Sequence, residues 1–156
     1  MTYLTLDEVK KPLQQFAQFD ADTQLALLWY GWLDIKDNLS PNPGHKVEGL
    51  AKAVYDKIEP LSEQEQLQAQ RDIANRADNA ISREYGALSP SAKLDVWLML
   101  AQGMESGDIV NVPDDYKLPS NTSEFVENIK QLDFEQRVNF TRNAVAEMGM
   151  NAAAVS

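Results

Sequence analysis

Cysteine is absent from these 156 residues, and histidine occurs once. The first absence excludes thiol nucleophiles, thiolate metal sites and disulfides. The second leaves little material for acid–base or metal chemistry, because histidine titrates near neutrality and is the commonest metal ligand. Basic residues are scarce as well: 14 against 24 acidic side chains give a formal net charge of −10. Such a chain repels phosphate backbones and anionic surfaces, which argues against nucleic acid as a partner. No apolar run approaches the ~20 residues that span a bilayer. The first residues, Met1-Thr-Tyr-Leu-Thr-Leu-Asp-Glu8, lack the basic and apolar regions of a secretory signal. The expectation is one cytoplasmic, non-membrane-spanning domain over 1–156, long enough to bury roughly 70% of its unfolded surface.

Enzymatic motifs are missing too. There is neither a GxGxxG turn nor a phosphate loop, and no nucleophile elbow accompanies His45, which sits beside Lys46 in a Pro/Gly loop. Asp114-Asp115 and the Glu63/Glu65 pair have no histidine or further carboxylates at ligand spacing, so they read as solvated acid. The chain reads as something other than an enzyme, without a metal.

What is present is helix. Thr5 with Glu8, Ser62 with Glu65 and Asp133 with Gln136 have capping-box spacing, and Ser89-Pro90 is a further start signal. Asp20 or Asp22 caps the next helix. Breaks fall at Asn38–His45, Pro60, Gly86, Gly107–Ser120 and Gly149. The signals predict helices over 6–17, 21–36, 47–58, 62–73, 76–85, 90–105, 122–131 and 134–148, with 151–156 a frayed tail. The stretch Asp72-Ile-Ala-Asn-Arg-Ala-Asp78 reads as a helix junction with polar caps, or a helix with an Asp72–Arg76 pair at i, i+4. The helix from Pro90 is apolar nearly all round, which predicts burial between other helices.

Aromatic residues give the sharper signal. The run Gln24-Leu-Ala-Leu-Leu-Trp-Tyr-Gly-Trp-Leu33 carries two of the three tryptophans. Leu25, Trp29 and Trp32 share a face at i, i+4 and i+7; Leu28 and Leu33 are expected in the core. Gly31 leaves a gap where another body can approach. Trp97, Ala101 and Met104 share a face on the apolar helix, and Tyr116 follows a Val112-Pro113 loop. From the residues alone two readings stand: a large aromatic core, or a slot for a flat apolar ligand.

The run Gln18 to Leu33 resembles the start of the N-terminal domain of the orange carotenoid protein family. So do Asp72-Ile-Ala-Asn-Arg-Ala-Asp78, Arg83, Tyr85, Ser89-Pro90, and Arg142-Asn-Ala-Val145 with Met148-Gly149. The resemblance spans about 16–150 and is similar in extent to the stand-alone helical carotenoid proteins of cyanobacteria. It implies an all-α fold of two interleaved four-helix bundles around a ketocarotenoid such as canthaxanthin or echinenone. The family's channel lining falls on Leu25, Trp29, Trp97, Met104, Val112, Pro113, Tyr116 and Val138, with Val145 and Met148 as further candidates. Trp32 and Leu98 replace channel tyrosines, Ala101 a glycine and Gln70 a methionine. Arg142 corresponds to an arginine that pairs with the family's C-terminal domain at rest and meets the phycobilisome on activation, while Ser91 replaces an inter-domain asparagine. The implied function is photoprotection by quenching singlet oxygen. Alternatives are a phycobilisome quencher, or a carrier exchanging pigment with separate C-terminal-domain homologues.

Overall fold

A computed structural model describes residues 2–36, 49–113 and 116–150, with side chains from Val9 onward. His45, the Asp114-Asp115 pair and the tail 151–156 lie outside the described residues. Among the described residues eight α-helices form: α1 (Thr2–Gln18), α2 (Ala21–Ile35), α3 (Gly49–Ile58), α4 (Glu63–Ala74), α5 (Ala80–Gly86), α6 (Pro90–Ser106), α7 (Ser123–Lys130) and α8 (Phe134–Ala146), with a 3-10 turn at Ser120–Thr122. The described residues contain no strand.

Local chemistry sets most boundaries. Asp20 caps α2, its Oδ1 accepting from Thr23 N at 2.8 Å. Ser62 and Glu65, and Asp133 and Gln136, close reciprocal capping boxes on α4 and α8. Ser89 caps α6 with Pro90 in its first turn, and Gly107 ends it at φ 91°. Two expectations fail. Helix α1 begins at Thr2, so Thr5 and Glu8 lie inside it rather than at its cap; the spacing of a capping box also occurs within helices. Helix α5 begins at Ala80, not at 76, because Arg76 takes a left-handed φ of 55° and Asn79 caps instead. That turn rules out an Asp72–Arg76 helical pair, and Asp72 accepts from Gln68 Nε2 at 2.9 Å. The stretch is a junction, as one of its two readings held.

The helices sort into two four-helix bundles. Helices α1, α2, α7 and α8 come from the two ends of the described chain: α1 packs on α7 and α8, and α2 on α8. Helices α3 to α6 form the second, through α3–α6, α3–α5, α3–α4 and α4–α5 packing. The bundles interleave where α6 packs on α8 and α2 on α4. The first bundle is filled by phenylalanine. Phe16 meets Phe140 edge-on with centroids 5.7 Å apart, and Phe19 meets Phe125 likewise at 5.6 Å. Gln24 ties α2 to the end of α1, its Nε2 donating to Phe16 O at 2.9 Å. Helix α6 is buried on the faces toward α3 and α8, as its apolar sequence predicts, but Leu94, Leu98 and Met104 on it are only half-buried.

The chain then folds back across α5. Gly149 N donates to Ile73 O at 2.8 Å and Met150 N to Ser82 O at 3.0 Å. A Cβ on Gly86 would stand 2.0 Å from Met150 O, so only glycine permits this approach. Gly31 is the opposite case: a Cβ there meets nothing within 4 Å. Gly86→Ala is expected to lose about 1–3 kcal/mol in thermal or urea unfolding, the cost of overpacking. Gly31→Ala should instead gain up to ~1 kcal/mol from helix propensity. Equal effects from the two changes would refute the close approach at Gly86.

Candidate functional site

Two helices carry matching apolar stripes. On α2 these are Leu25, Leu28, Trp29, Trp32 and Ile35; on α6 they are Leu94, Trp97, Leu98, Ala101 and Met104. Both sets follow i, i+3, i+4, i+7, i+10, which marks a single helical face. The stripes belong to different bundles and border a common cavity of about 70 Å³, with Val138 and Thr141 of α8 completing its wall. A second cavity of about 250 Å³ is lined by Ala26 of α2, Leu67 and Gln70 of α4, and Val110, Val112, Pro113 and Tyr116 of the loop after α6. Leu25 and Met104 line both. The two spaces therefore adjoin along the seam between the bundles and meet at those two side chains.

Each end is held in place. At the narrow end Trp32 Nε1 donates to Glu105 Oε1, and Lys36 Nζ pairs with Glu105 Oε2 at 3.2 Å. The Trp32 hydrogen bond, and then the one from Lys36, keep the Glu105 carboxyl below its ordinary 4.5. Trp97 is buried, and its Nε1 donates to Tyr85 Oη at 2.9 Å. At the wide end one side chain of α4 holds the loop. Gln66 Nε2 donates to Glu59 O at 2.9 Å and Asp108 O at 3.0 Å, while its Oε1 accepts from Val110 N at 2.8 Å. Asp22 and Arg71 face each other across α2 and α4 on this wall, with Nε–Oδ1 at 2.6 Å. Gln70 beside them is fully buried.

The structure brings Leu25, Trp29, Trp32, Trp97, Leu98, Ala101, Met104, Val112, Pro113, Tyr116 and Val138 onto these two cavities. Val145 and Met148 lie elsewhere. Val145 continues the Val138–Thr141 face of α8 by one turn, but it is wholly buried, and there its carbonyl accepts from Tyr85. Met148 borders a separate cleft between α1 and the α4–α5 junction. Leu28, expected in the core, lines the cavity, and Leu33 is 38% exposed because it points off the shared face. Sequence reasoning missed Ile35, Leu94 and Thr141; for the first two, the i+10 and i−3 extensions of the stripes were the available signal. Arg142 is exposed on α8, and among the described residues no carboxylate pairs with it. Among the described residues no cluster of acidic or histidine side chains could hold a metal, and no helix is long and apolar enough to cross a membrane.

Comparison with known proteins gives a consistent set. The family model for the orange carotenoid protein N-terminal region matches residues 2–151. An orange carotenoid-binding domain-containing protein of Nostoc sp. is 36% identical over 151 residues, covering 96% of this chain and 88% of its own length. The orange carotenoid-binding protein of Synechocystis sp. is 35% identical over 150 residues; this chain spans only 47% of it. Among solved structures, an Anabaena (Nostoc) red carotenoid protein binding canthaxanthin superposes with TM-score 0.78 at 38% identity, covering 92% of this chain and 99% of its own. The orange carotenoid protein of the same organism, also binding canthaxanthin, gives 0.87 at 32% identity, over 94% of this chain and 48% of that one.

The Glu105 contacts have a pH signature. A carboxyl held below 4.5 stabilises the fold above that value, and the contribution is lost as pH falls through the lower folded value. Glu105→Gln should therefore cost stability at neutral pH, and the gap from wild type should close on acidification below 4.5. Chemical unfolding of both proteins at a series of pH values measures the gap. A gap that is the same at all pH values would show that Glu105 is not held by Trp32 and Lys36.

Proposed function

Because the chain belongs to the orange carotenoid protein N-terminal family, we propose that it binds a ketocarotenoid of the canthaxanthin or echinenone kind and protects against singlet oxygen. The observation that carries the reading is the pair of apolar stripes on α2 and α6, which border free space instead of closing on one another. A tetraterpenoid polyene is about as long as a ~20-residue helix, so both cavities would have to serve it, through the neck at Leu25 and Met104. Their volumes, about 70 and 250 Å³, are smaller than such a ligand. The lining must give way, and the unbranched thioether of Met104 is well suited to do so. Burial supplies the affinity, at roughly 25 cal/mol per Å² of apolar surface removed from water.

Bound, the pigment supplies a triplet state low enough to accept the excitation of singlet oxygen and lose it as heat. The protein's own residues do the rest. Trp29 and Trp97 offer ring faces to a conjugated chain, the Trp97 indole being oriented by its hydrogen bond to Tyr85. The Val110–Tyr116 segment borders the wide end, and the Glu105 contacts fix Trp32 at the other.

A second reading concerns partners. Arg142 is exposed, follows the cavity residue Thr141 and has no acidic partner among the described residues. We read it as the residue that docks a phycobilisome, or a C-terminal-domain homologue during pigment exchange, although the −10 net charge slows approach to an acidic antenna. Arg142→Glu should leave pigment binding intact and abolish antenna quenching; quenching that survives the change removes Arg142 from the interface.

Expression in a carotenoid-producing host should give a protein with a visible band that co-elutes with it and raises its rate of singlet-oxygen quenching. Trp29→Ala should retain roughly tenfold less pigment, from lost stacking and burial, with the helical circular dichroism unchanged. A colourless wild type defeats the reading.

A further inference from the structure

The wider cavity contains a polar group for which the described residues supply no partner. Gln70, on α4, is 1% exposed and lines that cavity, yet among the described residues its Nε2 makes no hydrogen bond. This is not a general looseness of buried amides. Gln66, at 3% exposure, satisfies three backbone groups, and Gln24, at 8%, donates to Phe16 O. Nor does any side chain that lines the cavity, the Tyr116 hydroxyl included, accept from it. Leu25, Leu67, Met104 and Pro113 are apolar, Asp22 is committed to Arg71 at 2.6 and 3.2 Å, and Asn111 Oδ1 accepts from Val112 N at 2.7 Å. A buried donor left without an acceptor is a net cost to the fold, and an acceptor brought in by a ligand lifts it.

The narrow cavity is different. Its polar wall residue Thr141 already donates to Arg137 O at 3.1 Å, the Trp32 and Trp97 N–H groups are both engaged, and Trp29, whose N–H has no partner among the described residues, is only half-buried. The two ends therefore differ in kind: one offers ring faces and no uncommitted buried donor, the other a buried donor inside an apolar wall.

We propose that Gln70 Nε2 donates to an oxygen on the terminal ring of the bound carotenoid, seating the oxygenated ring at the Gln70–Tyr116 end. This rests on the carotenoid reading above and adds to it a selection rule and a direction. A pigment with a keto group on one ring enters with that ring toward α4. A hydrocarbon carotene leaves the donor unmet and is disfavoured.

The test titrates the full chain, freed of pigment, with canthaxanthin, echinenone and β-carotene, in the wild type and in Gln70→Met, a swap that nearly conserves volume. The wild type should prefer the keto pigments over β-carotene by roughly fivefold more than the variant does, the worth of one neutral hydrogen bond. The pigment-free variant should melt at the same temperature as wild type or higher, since it loses an unmet donor. The carbonyl stretch of echinenone bound to wild type should fall below its position in apolar solvent, a readout that needs no variant. An unshifted stretch, an equal preference in the two proteins, or a variant that melts lower without pigment would each overturn the role of Gln70 while leaving carotenoid binding intact. Failure of the wild type to take up any of the three pigments would instead overturn the carotenoid reading itself.

Discussion

Trp97, Tyr85 and the carbonyl of Val145 are joined head to tail by hydrogen bonds, and the spacing of the two bundles depends on them. Tyr85 is fully buried; its hydroxyl accepts from Trp97 Nε1 at 2.9 Å and donates to Val145 O at 2.6 Å. Burial holds the phenol above its ordinary 10, so it remains a proton donor at neutral pH. Lys93 adds a parallel link, its Nζ donating to Ala146 O at 2.9 Å beneath a cation–ring contact with Tyr85. Two terminal carbonyls of α8 are thus met by side chains of the second bundle, where a cation also suits the helix dipole. A link this specific fixes how near α6 comes to the first bundle. With that distance set by hydrogen bonds, the stripes on α2 and α6 need not collapse together.

The aromatic residues divide by chemistry. Phenylalanine, with no polar atom to satisfy, fills the first bundle at Phe16, Phe19, Phe125 and Phe140. Tryptophan stands at the seam, where Trp32 and Trp97 reach acceptors with their N–H groups while their rings face free space. The choice between a large core and a slot was therefore not a single choice: the chain has both, built from different residues.

Much of this was legible along the chain. Asp20, Ser62, Ser89 and Asp133 cap where their spacing says they should, because a cap is a contact between residues three apart. The stripe on α2 could be read for the same reason, as a periodicity within one helix. Thr5 misled because a short spacing pattern has no power to tell a helix start from its interior. Val145 misled in another way: it lies on the right face of α8, but Tyr85, distant in sequence, claims that turn. Gln66 and Gln70, one turn apart on α4, look alike in sequence and differ completely in place. What separates them is an acceptor 42 residues away in one case and its absence in the other. Local pattern carries no trace of such a difference.

The Gln66 amide has a consequence for how the wide end can open. One side chain meets the carbonyls of Glu59 and Asp108 and the amide of Val110, so a single rotation breaks all three bonds. The segment beyond it starts from Gly107, whose left-handed backbone can serve as a pivot. Such a loop does not fray residue by residue. Losing the one Gln66 amide would release the Asp108 carbonyl and the Val110 N–H together, so the start of the segment is held or freed as a piece.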